Sequence, residues 1–154
     1  MASDFRVLVL GDIIGKPGCR ALFVQLKTLI KDFSADSVIV NGENAADGFG
    51  LLPETAEQIF SSGADVITSG NHIWQKQEIL GMLDQNPRLL RPENYPPGVS
   101  GHGFTVTESK NFRLGVLNLQ GRESLPSTLC PFRTAAEVLR KRKAEYDAVV
   151  IDFH

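Results

Sequence analysis

The stretch VIVNGENAADGFG, residues 38–50, decides the fold, because a short apolar run ends in it at a group of polar residues. The run shows no alternation of apolar and polar side chains, which is typical of a strand buried on both faces. The residues that follow it are Asn41, Gly42, Glu43 and Asn44. A turn needs fewer polar groups than these. We therefore interpret the stretch as a central strand whose end presents side chains to a site.

The same arrangement occurs before and after this stretch. An apolar run from Arg6 to Leu10 ends at Gly-Asp, and another from Asp65 to Thr68 ends at SGNH; the central run itself spans Ser37 to Val40. Each run is followed by a helical pattern. Apolar residues recur every three or four positions after the first run, at Leu22, Leu26, Leu29 and Phe33.

Two more helices complete these units. Pro53 suits the first turn of a helix after the central run, and we predict a third helix from about Gln75 to Leu83. Buried strands that alternate with helices indicate an α/β fold, with a parallel-rich sheet covered by helices.

The second half of the chain has a different pattern. Runs from Gly103 to Thr107 and from Arg113 to Asn118 flank ESKN and predict a hairpin. After a loop at residues 120–132, a basic helix is predicted from Thr134 to Lys143, and DAVVIDFH predicts a last buried strand. Because the chain stops directly after that strand, we expect residues 1–154 to be one domain that is incomplete at its C-terminus.

Composition excludes several classes of protein. Lys plus Arg number 16 and Asp plus Glu number 18, so the net charge of −2 gives no reason for an obligatory nucleic-acid partner or for a membrane surface. Cys19 and Cys130 are far apart and form no CxxC pair, as expected in a reducing compartment. The N-terminus lacks the pattern of a signal peptide, and no apolar run is long enough for a membrane span. We expect a cytoplasmic protein.

Polar residues follow four of the predicted strands. In an open parallel sheet, ligands bind outside the carboxyl ends of the strands, so we expect these side chains to line one rim. They are Asp12, Glu43, Asn44, Asn71, His72, Asp152 and His154. Oxygen and nitrogen ligands without a thiolate suit Mn²⁺, Fe²⁺ or Zn²⁺. A central carboxylate can bridge two such ions, as in enzymes that hydrolyse phosphoesters.

Each residue alone has a simpler explanation. Asp12 could cap a helix, Asn44 could adopt the left-handed conformation of a turn, and His154 could be a frayed terminal residue. Four strand ends with the same kind of ligand are better explained by one site. Other motifs fail: GDIIGKPG is one residue short of a P-loop, and GFG, residues 48–50, has Pro53 in place of the third glycine of a dinucleotide fingerprint.

The assembled motifs resemble those of the calcineurin-like metallophosphoesterases, and more closely their YmdB-like branch. VLGDIIGKPG, VNGENAADGFG, SGADVITSGNHIW, LLRPENYP, VLNLQGR and IDFH match that branch in order along essentially the whole chain. NGENAA and GNHIW are the most specific. The resemblance implies an α/β/β/α sandwich, a di-iron or di-manganese centre, and hydrolysis of phosphodiesters, including cyclic nucleotides, by an activated hydroxide.

The resemblance also implies a role for each site residue. Asp12 and Asn44 resemble ligands of the first metal, Glu43 the bridging carboxylate, and Asn71 and His154 ligands of the second metal. His72 resembles the catalytic histidine that protonates the leaving alkoxide. An imidazole is a suitable general acid beside a phosphate at neutral pH.

The chain departs from the family in what it lacks. Relatives continue beyond IDFH with a further sheet and a motif that supplies two more histidine ligands, and this chain contains no HxH. We therefore expect a sandwich without its C-terminal portion, with one layer missing. We also expect the 154-residue chain to be a poor phosphodiesterase by itself, and exposed apolar surface to favour homo-oligomers.

Two other functions remain open at this stage. The chain could be a truncated, non-catalytic homologue that binds a phosphate ligand or a partner through the same rim. A flavodoxin-like nucleotide binder is the third hypothesis, and it predicts a bound nucleotide or a yellow colour.

Overall fold

The first sheet contains the three strands predicted from the apolar runs. A computed structural model describes residues 4–123, 125 and 128–154. Strands β1 (Val7–Leu10), β2 (Ser37–Asn41) and β3 (Val66–Thr68) pair in parallel in the order β1-β2-β3. Every residue of β2 and β3 is buried. The prediction of a parallel sheet is confirmed, and the carboxyl ends of its strands lie along one edge.

Three helices cover the outer face of this sheet. They are α1 (Gly15–Phe33), α2 (Pro53–Ser62) and α3 (Leu80–Gln85). Their buried side chains, such as Leu26, Ile59 and Leu83, pack with β-strand residues in one core. The apolar stripe of α1 is shorter than its spacing predicts, because Phe33 at the helix end is 59% exposed.

The predicted helix from Gln75 to Leu83 is wrong in its first half. Residues Asn71–Gln75 and Gln77–Ile79 form two short 3₁₀ turns, and Lys76 between them is extended. Ile73 and Ile79 are both fully buried in the same core. Ile73 precedes the predicted helix, and a helix extended back through it would place the two side chains about 120° apart around its axis. The extended Lys76 between the two turns lets both side chains reach the core.

A second sheet lies against the first. Strands β4 (Phe104–Ser109) and β5 (Phe112–Leu119) form the predicted hairpin, and β6 (Ala148–Phe153) pairs with β5 in parallel. Helix α4 (Pro131–Lys141) packs on its outer face, with Val138 and Leu139 against Phe104 and Leu117. Helix α4 begins three residues earlier than predicted, at a proline that suits a first turn.

The two sheets make the α/β/β/α sandwich that the resemblance implies, with one expectation corrected. We expected one layer of the sandwich to be missing. Instead β6 completes a second sheet of three strands. Ile39 and Val66 of the first sheet pack against Leu114 and Val116 of the second in an inner core.

Edge strands leave apolar side chains in contact with solvent. On β6, Ile151 is 41% and Phe153 50% exposed, and Val9 on the edge strand β1 is also exposed. In the part of the chain that the structure describes, no helix combines the length and apolar character needed to cross a membrane. The predicted loop at 120–132 is described except for residues 124, 126 and 127, which lie outside the described residues, as do residues 1–3 of the N-terminus.

Candidate metal centre

The site lies where the carboxyl ends of strands from both sheets meet. Asp12 follows β1, Glu43 and Asn44 follow β2, and Asn71 and His72 begin the 3₁₀ turn after β3. His154 follows β6 of the second sheet. The strands β2 and β6 are paired with different neighbours but point toward the same edge, which brings their polar ends together.

Glu43 is at the centre of the cluster and is only 1% exposed. Its Oε1 lies 2.9 Å from Nε2 of His154 and 3.5 Å from Nδ1 of His72. Its Oε2 accepts a hydrogen bond of 3.1 Å from the backbone N–H of His72. Residues from the ends of β2, β3 and β6 therefore converge on one buried carboxylate.

Asn44 connects Glu43 to Asp12 and His72. Its Nδ2 donates to Oδ2 of Asp12 at 2.7 Å and to Oε1 of Glu43 at 3.3 Å. Its Oδ1 lies 2.6 Å from Nδ1 of His72. A carboxamide oxygen can only accept, so Nδ1 of His72 carries the hydrogen, as assigned from this network. Nε2 of His72 is then the nitrogen left for chemistry.

The electrostatics of the pair formed by Glu43 and His154 favour charge on both groups. Burial by itself would raise the pKa of Glu43. Hydrogen bonds from His154 and from the His72 backbone oppose this effect, as do the charges of the two imidazoles, and the pKa of Glu43 lies below its usual value. The hydrogen bond to Glu43 raises the pKa of His154 against the opposing effect of burial, and the charges of Glu43, Asp152 and Asp12 add to the increase. A carboxylate kept ionised in a buried position is suited to bind a cation.

Gly70 makes room for this pair. A Cβ atom at this position would overlap Oε2 of Glu43 and would lie 2.5 Å from Nε2 of His154. Any side chain would therefore collide with the carboxylate and the imidazole where they face each other. The oxygen and nitrogen donors, without a thiolate, fit a divalent ion such as Mn²⁺ or Fe²⁺.

Carboxamides are needed to complete such a ligand set. In residues 4–123, 125 and 128–154, no group of three or more His, Cys, Asp and Glu is arranged to hold a metal ion. Asn44 and Asn71 would supply the further oxygens. Asn71 lies on the turn between Gly70 and His72, but the described hydrogen bonds do not connect its side chain to the cluster. The metal roles of all five residues stay predictions.

Two asparagines that were not predicted as site residues join the sheets behind the site. Nδ2 of Asn41 lies 3.4 Å from Oδ2 of Asp152. Asn118, fully buried at the end of β5, accepts from the backbone N–H of Ser69 at 2.9 Å and donates to the carbonyl of Asp152 at 3.4 Å. The sequence does contain an indication of this role, because Asn118 is the one polar residue in the apolar run GVLNL. A carboxamide buried in a strand needs hydrogen-bond partners.

Comparison with known proteins places the chain in a family. A family model described as YmdB-like protein matches residues 8–154. The 2′,3′-cyclic-nucleotide 2′-phosphodiesterase of Bacillus subtilis is 40% identical over 149 residues, which are 97% of this chain and 56% of that protein. The chain thus spans about half the length of the curated relatives it matches.

Solved structures agree with this assignment. The crystal structure of a hypothetical protein from Thermus thermophilus is 35% identical and superposes with a TM-score of 0.90, over 97% of this chain and 57% of that one. The NAD nucleotidase of Haemophilus influenzae, 14% identical, has a TM-score of 0.67 over 97% of this chain and 38% of that one, which shows a shared fold alone. The chain belongs to the YmdB-like protein family.

Proposed function

We propose that this chain provides the metal-binding and proton-donating residues of a phosphodiesterase that acts on small phosphodiesters, with cyclic nucleotides as the substrate class. The observation that carries the proposal is Glu43, a buried carboxylate between the imidazoles of His72 and His154. A relative that is 40% identical is named a 2′,3′-cyclic-nucleotide 2′-phosphodiesterase, which supports the substrate class.

The proposal assigns two divalent ions, iron or manganese, to one ligand set. The residues that would hold them are Asp12, Glu43, Asn44, Asn71 and His154. When bound, the ions supply positive charge to the phosphate and make water a stronger nucleophile at neutral pH. Glu43 would be the central ligand of this set, because it is buried and kept ionised among the other residues.

His72 is the proton donor in this proposal. Its Nδ1 hydrogen is held by Asn44 at 2.6 Å, which fixes the orientation of the ring. Nε2 can then carry a proton to the alkoxide oxygen that leaves phosphorus. Imidazole is suited to this step because it exchanges protons near neutral pH.

The test is an assay of the intact gene product that carries this chain. Turnover is measured on bis-nitrophenyl phosphate and on a 2′,3′-cyclic nucleotide, with added Mn²⁺ or Fe²⁺ and with a chelator. We expect metal-dependent hydrolysis of both substrates. Activity that survives complete removal of metal would contradict the proposal. Binding of phosphate without any turnover would favour the non-catalytic binding module.

A further inference from the structure

An exposed aromatic ring lies directly beside the proposed proton donor. The rings of Phe49 and His72 meet edge to face, with centroids 4.9 Å apart and planes at 70°. Phe49 is nevertheless 60% exposed. A large apolar side chain that stays in solvent next to a polar site offers a surface that the ligand cluster does not use.

The backbone holds Phe49 in this position. The N–H groups of Gly48 and Phe49 donate to the carbonyls of Asn44 and Ala46, at 3.0 and 3.1 Å. The N–H of Ala46 closes the turn by donating to the carbonyl of Gly50 at 2.9 Å. The turn that ends in Phe49 therefore starts at the ligand residue Asn44.

Gly50 fixes the turn against the segment that carries His72. Its φ of +84° favours glycine, and a Cβ there would lie 2.9 Å from Cγ of Lys76 and 3.3 Å from the carbonyl oxygen of His72. The turn therefore packs in close contact with the 3₁₀ segment Asn71–Gln75. The contact between Phe49 and His72 is thus set by backbone packing as well as by the rings themselves.

We propose that Phe49 is a stacking platform for the nucleobase of the substrate and makes the site selective for phosphoesters that carry an aromatic group. The inference rests on the proposed function and deepens it. His72 must lie near the leaving oxygen, so Phe49, in contact with His72, lies near the nucleoside side of the phosphate. Stacking on an exposed aromatic side chain accepts any base, because every base has a π-face.

The alternative is that Phe49 only shields His72 from water. A shield would affect every phosphate ligand equally, since it acts through the imidazole. A stacking platform affects only ligands that have an aromatic ring. The two roles therefore differ in a measurable way, without any need for turnover.

The experiment measures binding of adenosine 3′-monophosphate and of inorganic phosphate to the intact protein with Mn²⁺ by calorimetry. We expect Phe49→Ala to weaken binding of the nucleotide roughly 5–100-fold and to leave phosphate binding unchanged. Phe49→Leu, which keeps apolar bulk, should recover only part of the loss. Phe33→Ala is the matched control, because Phe33 is 59% exposed at the end of α1 away from the site.

Three results would overturn the inference. They are nucleotide binding that is unchanged in Phe49→Ala, an equal loss for nucleotide and phosphate, and a wild-type protein that binds the nucleotide no better than phosphate. Failure of the proposed function looks different. In that case the protein hydrolyses no phosphodiester, while the effect of Phe49 on nucleotide binding is still measured directly.

Discussion

The turn after β2 and the end of β6 hold their site residues by different means. In the turn, residues 41–46 are all buried, and short-range bonds fix the chain. Oδ1 of Asn41 accepts from the backbone N–H of Glu43, and the N–H of Ala45 donates to the carbonyl of Gly42. Glu43 is therefore held by a buried turn that has its own internal bonds, and the backbone N–H groups of Ile13 and Gly15 tie this turn to the end of β1.

The end of β6 depends on distant parts of the chain. The N–H of His154 donates to the carbonyl of Leu119, and its own carbonyl accepts from Gly121, both at 2.8 Å. Asp152 is contacted by Asn41, 111 positions earlier in the sequence. Because the flanking Ile151 and Phe153 are exposed on an edge strand, this side of the site has less packing around it. One side of the site is therefore a buried turn with its own internal bonds, whereas the other is set by strand pairing at an exposed edge.

The largest effect is expected for Glu43→Gln, in the buried turn after β2. Without its charge the side chain loses its attraction for cations, and the protein should lose bound metal. Turnover should fall more than about 10⁴-fold. Enzymes accelerate their reactions by about 10⁶-fold or more, and most of the rate acceleration of this enzyme would depend on the bound metals. Metal analysis and steady-state kinetics check the prediction. Glu57→Gln, on the exposed face of α2, is the control. Full metal content with a normal rate would show that Glu43 bridges nothing.

His72 contacts the turn after β2 but belongs to the segment after β3. Because it is assigned as the proton donor and not as a metal ligand, its substitution separates proton transfer from metal binding. His72→Ala should keep its metal while kcat falls by roughly 10²–10⁴-fold, the usual contribution of a general acid. The loss should be smaller on nitrophenyl esters, whose leaving groups need less protonation. His102→Ala, an exposed loop histidine, should behave as wild type. Loss of metal in His72→Ala would make His72 a ligand and the assigned role wrong.

His154→Ala tests the side of the site that depends on β6. We expect affinity for Mn²⁺ to fall at least about 10-fold, which is the smallest effect usual for groups that orient or bind a metal. The fold should be retained, because β6 is held to β5 by backbone pairing that the side chain does not make. Calorimetric titration with Mn²⁺ and circular dichroism measure the two outcomes. If His154→Ala removed metal as completely as Glu43→Gln, the two sides of the site would contribute equally to metal binding, contrary to this expectation.

The smallest effect concerns Asp36, which joins the two sheets away from the site. Its side chain, 3% exposed, accepts from the backbone N–H of Arg6 at 2.9 Å and pairs with Lys110 in the hairpin turn. The hydrogen bond from Lys110 and the one from Arg6 hold the pKa of Asp36 below its usual value. The ionised form is therefore favoured in the folded state, and its contribution to stability is present above the ordinary pKa of an aspartate.

Lowering the pH through the depressed pKa of Asp36 should remove that contribution. Asp36→Asn should therefore lower the melting temperature slightly at neutral pH, and the difference from wild type should shrink under acid conditions. Added salt should also shrink it, because Lys110 is largely exposed. Asp32→Asn, exposed on α1, serves as the control. A difference that grows as the pH falls would contradict the assigned direction.

Much of the site could be predicted because its signals are local. The runs before Asp12, Glu43 and Asn71 are short, apolar and followed by helical patterns, so their order and the direction of their ends follow from the βαβ arrangement. The positions of Glu43, Asn44 and His72 in one cluster are confirmed by their contacts. Their metal and catalytic roles remain predictions.

Apolar periodicity and turn chemistry act over a few residues, and for that reason the strands, most of the helices and the polar strand ends follow from the amino-acid sequence alone. Three features follow only from the folded chain: β6 belongs to a second sheet, the segment after His72 breaks at Lys76, and Gly70 must lack a side chain. Each of these depends on residues far away in sequence. Strand pairing and close packing depend on contacts between residues that are distant in sequence. Local sequence patterns do not specify these contacts.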